Sequence, residues 1–210
     1  MPIFAKWLSR LILVLTTSVV PATFLKAAHS CCDKTSLVSL TGQLLVASPE
    51  IRHPNFDHAV ILVVRHDQGG AMGIVINRPT DERSLADILK IFGEADTDVK
   101  GKVQLFAGGP VQPGIGFVTH SADYRGTGTI DVTGSVLVTS NLQILRDIGR
   151  HKGPKKSLIT FGYAGWAPGQ LEDELQRRVW FTAPGDPDLV FDETREKLWD
   201  TAYARRAQDL

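Results

Sequence analysis

Two apolar runs rich in β-branched residues, HAVILVVRH (His58 to His66) and AMGIVIN (Ala71 to Asn77), are separated only by Asp67, Gln68, Gly69 and Gly70. A parallel pair needs a crossover of about a dozen residues or more, so this spacing forces antiparallel neighbours joined by a tight turn. Gly69, Gly70 and Gly73 then read as turn and close-packing residues. They fit neither a Walker loop, which ends in Gly-Lys-Ser/Thr, nor a dinucleotide fingerprint, which must lead into a helix. Here the run leads into a strand.

The same texture continues along the chain. GQLLVAS (42–48), KVQLFAGG (102–109), GIGFVTH (114–120), TIDVTGSVLVTS (129–140) and SLITFGYAG (157–165) are further strand candidates, separated by glycine and proline. Segments 49–57, 108–115 and 182–188, rich in Pro, Gly and Asp, read as loops. Helices fit SLADILKIFG, with Ser84 as N-cap and Gly93 as stop, and NLQILRDIGR, with Ser140 as N-cap. A third runs from Pro168 to about Val179, where Leu171, Leu175 and Val179 form one stripe, and a fourth covers ETREKLWDTAYARRAQ. Strands are consecutive and helices arrive singly. The expected class is α+β, a mainly antiparallel, barrel-like sheet with a few peripheral helices.

The first 30 residues follow another rule. MPIFAKWLSR carries two positive charges, LILVLTTSVVPATFL is uncharged, and Ala28-His29-Ser30 is a small-x-small triplet. This is the pattern of a secretory signal peptide, and the apolar stretch is short for a membrane span of about 20 residues. The expected division is a signal over 1–30, a short linker over 31–39 and a single domain over 40–210, exported to the periplasm or envelope. The alternative is a cytoplasmic chain in which 1–30 is an anchor or a mis-set start. Cys31 raises lipid attachment, although the triplet lacks the aliphatic residue such a site usually carries. Cys31 and Cys32, the only cysteines, are a poor disulfide pair and a poor zinc site.

Removing Lys6, Arg10 and Lys26 with that leader leaves 20 basic and 23 acidic residues. Such a domain lacks the broad basic field behind most non-specific nucleic-acid affinity, and neither Lys155-Lys156 nor Arg205-Arg206 sits in a helix-turn-helix pattern. DNA binding is therefore not supported by charge or motif.

LTGQLLVASPEI, HPNFDHAVILVV, GGAMGIVINRP, FAGGPVQPGIGFVTH, FGYAGWAPGQLEDEL and VWFTAPGDPDLVFD stand in this order over about Leu40 to Trp199. In this the chain resembles the AlgH/YqgE family. The resemblance implies a small α+β fold with a barrel-like sheet and long surface loops, but no established biochemical activity. Members are often labelled transcriptional regulators, a label that names no DNA-binding element. Family members usually start near the position of Leu40 and are cytoplasmic, so a working leader here argues against that role.

Chemical candidates are few. His66 and Asp67 lie at a strand end without a Gly-x-Ser-x-Gly elbow anywhere in the chain. Asn77 and Arg78, where a strand ends before Pro79, either point into a cleft or serve as turn cap and surface ion pair. Gly108 and Gly109 are either an anion-binding nest or a bulge. His120 is either a base near that loop or a hydrogen-bonded structural residue. Trp166, Gln170 and Glu174 can form a polar-aromatic surface at a helix entrance; alternatively the rings pack on the sheet and Glu174 pairs with Arg178. His53, Asp57 and His58 lack a dense ligand array, so no metal and no cofactor are expected. The expectation is a non-enzymatic binding or accessory module for an unidentified protein or small ligand, with a regulator and a cryptic enzyme built on Gly108, Gly109 and His120 as rivals.

Overall fold

The computed structural model describes residues 38–207 apart from Ala95 and Thr97. The leader over 1–30, Cys31, Cys32 and most of the 31–39 linker lie outside the described residues.

The chain forms β1 (Leu44–Ala47), β2 (Val60–Asp67), β3 (Gly70–Val75), β4 (Pro79–Ser84), α1 (Leu85–Ile91), β5 (Lys102–Ala107), β6 (Val111–Ser121), β7 (Thr129–Asp131) and β8 (Val136–Thr139). After these come α2 (Gln143–Gly149), β9 (Ser157–Trp166), α3 (Gln170–Gln176), β10 (Trp180–Ala183), α4 (Pro187–Val190), a 3₁₀ turn at Arg195–Lys197 and α5 (Leu198–Ala204). The strands make one sheet in the order β10-β1-β2-β3-β9-β6-β8-β7, with β5 attached to β9 and β4 to β5. All pairings are antiparallel except β5 with β9. The result is a curled half-barrel of the α+β class, as the strand pattern predicted.

The opening hairpin forms as expected: Asp67 pairs with Gly70 across Gln68-Gly69, and the Asp67 carboxylate accepts the Gly69 N–H at 2.7 Å. β1 and β2 are buried on both faces, which is why their sequences are continuous apolar runs rather than alternating ones. With a side-chain period of two, Leu44, Val46, Val60 and Leu62 enter one core and Leu45, Ala47, Ile61 and Val63 enter a second. The first is closed by Leu189, Val190 and Phe191 after β10 and by Leu198 and Ala202 of α5. The second is closed by Trp166, Trp180 and Leu171 of α3. Each fully buried Leu or Ile contributes about 1.5–3 kcal/mol.

Ser84 caps α1 by accepting the Asp87 N–H, as read from sequence. Other boundaries differ. Ser140 does not cap α2; the Asn141 side chain accepts the Gln143 N–H at 2.9 Å and the helix starts at Gln143. α3 is shorter than the Pro168–Val179 expectation because Gly169 (φ 77°) and Arg178 (φ 57°) are left-handed, and a helix cannot run through either. The candidate 129–140 is two strands with left-handed Gly134 between them. The expected 108–115 loop is shorter, since β6 starts at Val111, and the 182–188 loop overlaps β10 and the start of α4, which Asp186 caps. β4 is a polar, exposed strand that no apolar pattern marks.

Candidate functional site

Segment 49–58, between β1 and β2, separates two clefts. On one side β9 ends at Trp166, Gly169 turns the chain, α3 follows, and β10 begins at Trp180. The turn brings both indoles to one side chain. Trp166 Nε1 and Trp180 Nε1 donate to the same Glu174 oxygen, Oε2, at 2.9 and 2.7 Å, while Gln170 Nε2 donates to Oε1 at 2.9 Å. Gln170 in turn accepts the Ala167 N–H with its own oxygen. The Trp166 and Trp180 rings meet edge to face at 6.0 Å, and Phe56 meets Trp180 at 5.7 Å. These rings, with Ile51, His53 and Arg177 at the margin, line a cleft of about 330 Å³. Both indoles are largely buried, so they serve as core and as cleft wall at once. Their N–H groups need an acceptor when buried, and Glu174 is that acceptor.

On the other side of the segment, Asn77 clamps the strand end: its Oδ1 accepts the Val60 N–H at 2.9 Å and its Nδ2 donates to His58 O at 2.8 Å. Arg78 Nη2 donates to Asp57 O, and the Arg78 Nε is buried without a partner among the described residues. His58 holds a left-handed backbone (φ 53°), which places its Nδ1 2.7 Å from Asp57 Oδ1 and its ring 4.3 Å from that of Trp199. Trp199 is fixed by an Nε1 bond to Ala47 O. A cleft of about 340 Å³ opens here, walled by Asp57, His58 and Arg78 on the strand side and by Arg195, Glu196 and Asp200 on the helix side. Burial lowers the Arg195 pKa from its ordinary value, against the opposing pull of Asp192 and Glu193.

The remaining sequence candidates lie elsewhere. The Gly108 N–H donates to Phe161 O at 2.7 Å, so it is not open to an anion. A Cβ on Gly109 would lie 2.2 Å from Tyr163 C, and one on Gly162 would lie 2.3 Å from Gly109 O. The glycines mark a backbone crossing between the β5 exit and β9. His120 pairs with Ser157 at the far end of β9, about 17 Å from Gly162 at roughly 3.3 Å per extended residue. It is fully buried, with Nδ1 3.0 Å from Ser121 O and Nε2 2.9 Å from Thr139 Oγ1. The oxyanion-loop arrangement of Gly108, Gly109 and His120 is therefore not formed, because β-register separates its parts.

Sequence reasoning missed Phe56, Trp180 and Trp199 as cleft residues, and it missed the pair between the buried His66 and the partly exposed Glu172. The dense run HPNFDH was the available signal: His, Asp and Phe within one loop. Instead of gathering as ligands, His53 Nδ1 accepts the Asn55 N–H and Asp57 faces His58.

The AlgH-like family pattern matches residues 44–210. A UPF0301 protein of Sphingopyxis alaskensis is 42% identical over 172 residues, covering 80% of this chain and 90% of the relative. One of Rhodospirillum rubrum is 42% identical over 170 residues, covering 81% and 88%. The solution structure of the AlgH protein from Pseudomonas aeruginosa superposes with a TM-score of 0.69 at 37% identity, covering 82% of this chain and 91% of that one. A Corynebacterium diphtheriae protein at 20% identity and TM-score 0.61 shares the fold.

Proposed function

This chain belongs to the AlgH-like family, and we propose that it works as a non-enzymatic binding module whose site is the aromatic cleft between segment 49–58 and α3. One observation carries the reading: a single Glu174 oxygen holds both indole N–H groups. Fixing two large rings before a ligand arrives lowers the entropy cost of binding. The lining selects a flat, apolar group, either a small molecule or an aromatic side chain of a partner protein. Export through residues 1–30 belongs to the same proposal and would set that partner in the cell envelope.

The test uses two uncharged probes, indole and phenol, titrated into the protein and followed by the NMR shifts of the Trp166 and Trp180 indole N–H groups. Saturable shifts at both indoles, weakened severalfold by Glu174→Gln, are expected. Shifts absent at both, or unchanged in the variant, would overturn the cleft as the site.

The regulator reading has less behind it. Lys155, Lys156 and Lys197 do line a groove of about 770 Å³, but Glu193 and Glu196 line it too. Duplex DNA probes at low salt distinguish the two, since phosphate contacts would make binding fall steeply as salt rises.

A further inference from the structure

The second cleft is chemically unlike the first. The Arg78 side chain has one hydrogen bond, to a backbone carbonyl, and makes no ion pair among the described residues. Across the opening, Glu196 and Asp200 are exposed and likewise without an ion pair among the described residues. Both signs of charge thus line a volume of about 340 Å³: Arg78 stands on the side of Asp57, whose carboxylate is engaged by His58, and Glu196 and Asp200 stand on the side of Arg195. The Trp199 indole lines the space between them, and its orientation is set by its bond to Ala47 O and its contact with His58.

We propose that this cleft binds a small zwitterion of the free α-amino acid type. Its carboxylate lies against the Arg78 guanidinium, its ammonium lies between Glu196 and Asp200, and its hydrocarbon part rests on Trp199. Guanidinium groups suit planar carboxylates because two N–H donors match two oxygens. A purely anionic ligand would meet Asp57, Glu196 and Asp200, and a purely cationic one would meet Arg78 and Arg195, so a molecule carrying both charges is the complementary one. The volume is at the small end of ligand pockets, about 300–1,000 Å³. The left-handed His58 fits a binding role, since strained backbone of this kind is held in place by surrounding structure and clusters at ligand sites. Asn77 is the positioning residue: it ties His58 O to the strand from which Arg78 emerges.

The experiment is calorimetric titration of the protein with leucine, glutamine and methionine, each also as the N-acetyl acid and as the amide. Saturable binding of at least one free amino acid is expected, with each singly charged derivative weaker by about tenfold or more, the scale of one lost charge-assisted hydrogen bond. Asp200→Asn, at an exposed position, and Arg78→Gln should weaken binding similarly. Glu174→Gln should leave it unchanged, which separates this site from the aromatic cleft. No binding by any free amino acid in the millimolar range, equal binding of a derivative lacking one charge, or an unaffected Asp200→Asn variant would each overturn the proposal.

Discussion

His66 Nε2 lies 2.7 Å from Glu172 Oε1, joining the end of β2 to the first turn of α3 across 106 residues of chain. The other ring nitrogen, Nδ1, accepts the Leu40 N–H at 3.1 Å, so Nε2 carries the proton and donates to the carboxylate. Ser39 Oγ donates to His66 O, and Thr41 Oγ1 accepts the His66 N–H. One buried imidazole therefore docks the entry segment of the domain onto the sheet and orients the helix that carries Glu174.

Replacing that ring removes both bonds at once. His66→Ala leaves the half-buried Leu40 N–H without its acceptor and opens a void at a buried position, with an expected cost of about 2–4 kcal/mol. Glu172→Gln retains an oxygen able to accept the Nε2 proton and is expected to cost less than about 1 kcal/mol. Urea denaturation of both variants checks the order. Equal losses would mean that the carboxylate charge, not the imidazole's two-sided bonding, holds the clasp.

The glycine crossing makes a sharper contrast. Gly109→Ala forces a Cβ to 2.2 Å from the Tyr163 backbone, where nothing can rotate away, and the variant is expected not to fold. Gly128 is also left-handed (φ 77°) but has open space around it, so Gly128→Ala is expected to cost only about 1–2 kcal/mol. Soluble yield and far-ultraviolet circular dichroism distinguish these outcomes.

His120 gives a pH signature. Burial is the largest influence on it and lowers its pKa below the ordinary 6.5, with Ser121 O and Asp123 pulling the other way. The unfolded chain then takes up the proton more readily than the folded one. The stability contribution is complete above about pH 6.5 and is lost as pH falls below it. Thermal melts between pH 7 and 5 should show a smaller acid-side loss for His120→Gln than for the unsubstituted protein. Parallel slopes would remove the buried imidazole as the titrating group.

Export has a direct readout. Intact mass and N-terminal sequencing of the protein from cell fractions should give a chain beginning at or near Cys31 in the exported fraction. A full-length chain in the cytoplasm would end the export proposal and make DNA-binding assays the next step.

Local pattern alone determined the β2–β3 hairpin, the strands around both cores and the Ser84 cap. Each is decided within a few residues, by the side-chain period, by turn glycines or by a hydroxyl beside a free N–H. The same locality made the AlgH-like blocks readable, and it flagged Trp166, Gln170 and Glu174, which lie within one turn and helix. Tertiary structure decided what depends on register between distant segments. The polar run PTDERS becomes β4 only because β5 offers it a ladder. Trp180 reaches Glu174 only because β10 returns to pair with β1. His120 pairs with Ser157 at the start of β9 while Gly108 crosses its middle at Phe161 and Gly162, a separation that strand spacing imposes and no motif encodes. The charges of Arg78 and Asp200 share a cleft because α5 packs on the core face of β1 and β2, so burial of the neighbouring Ile76, Leu198 and Ala202 places two residues distant in sequence together.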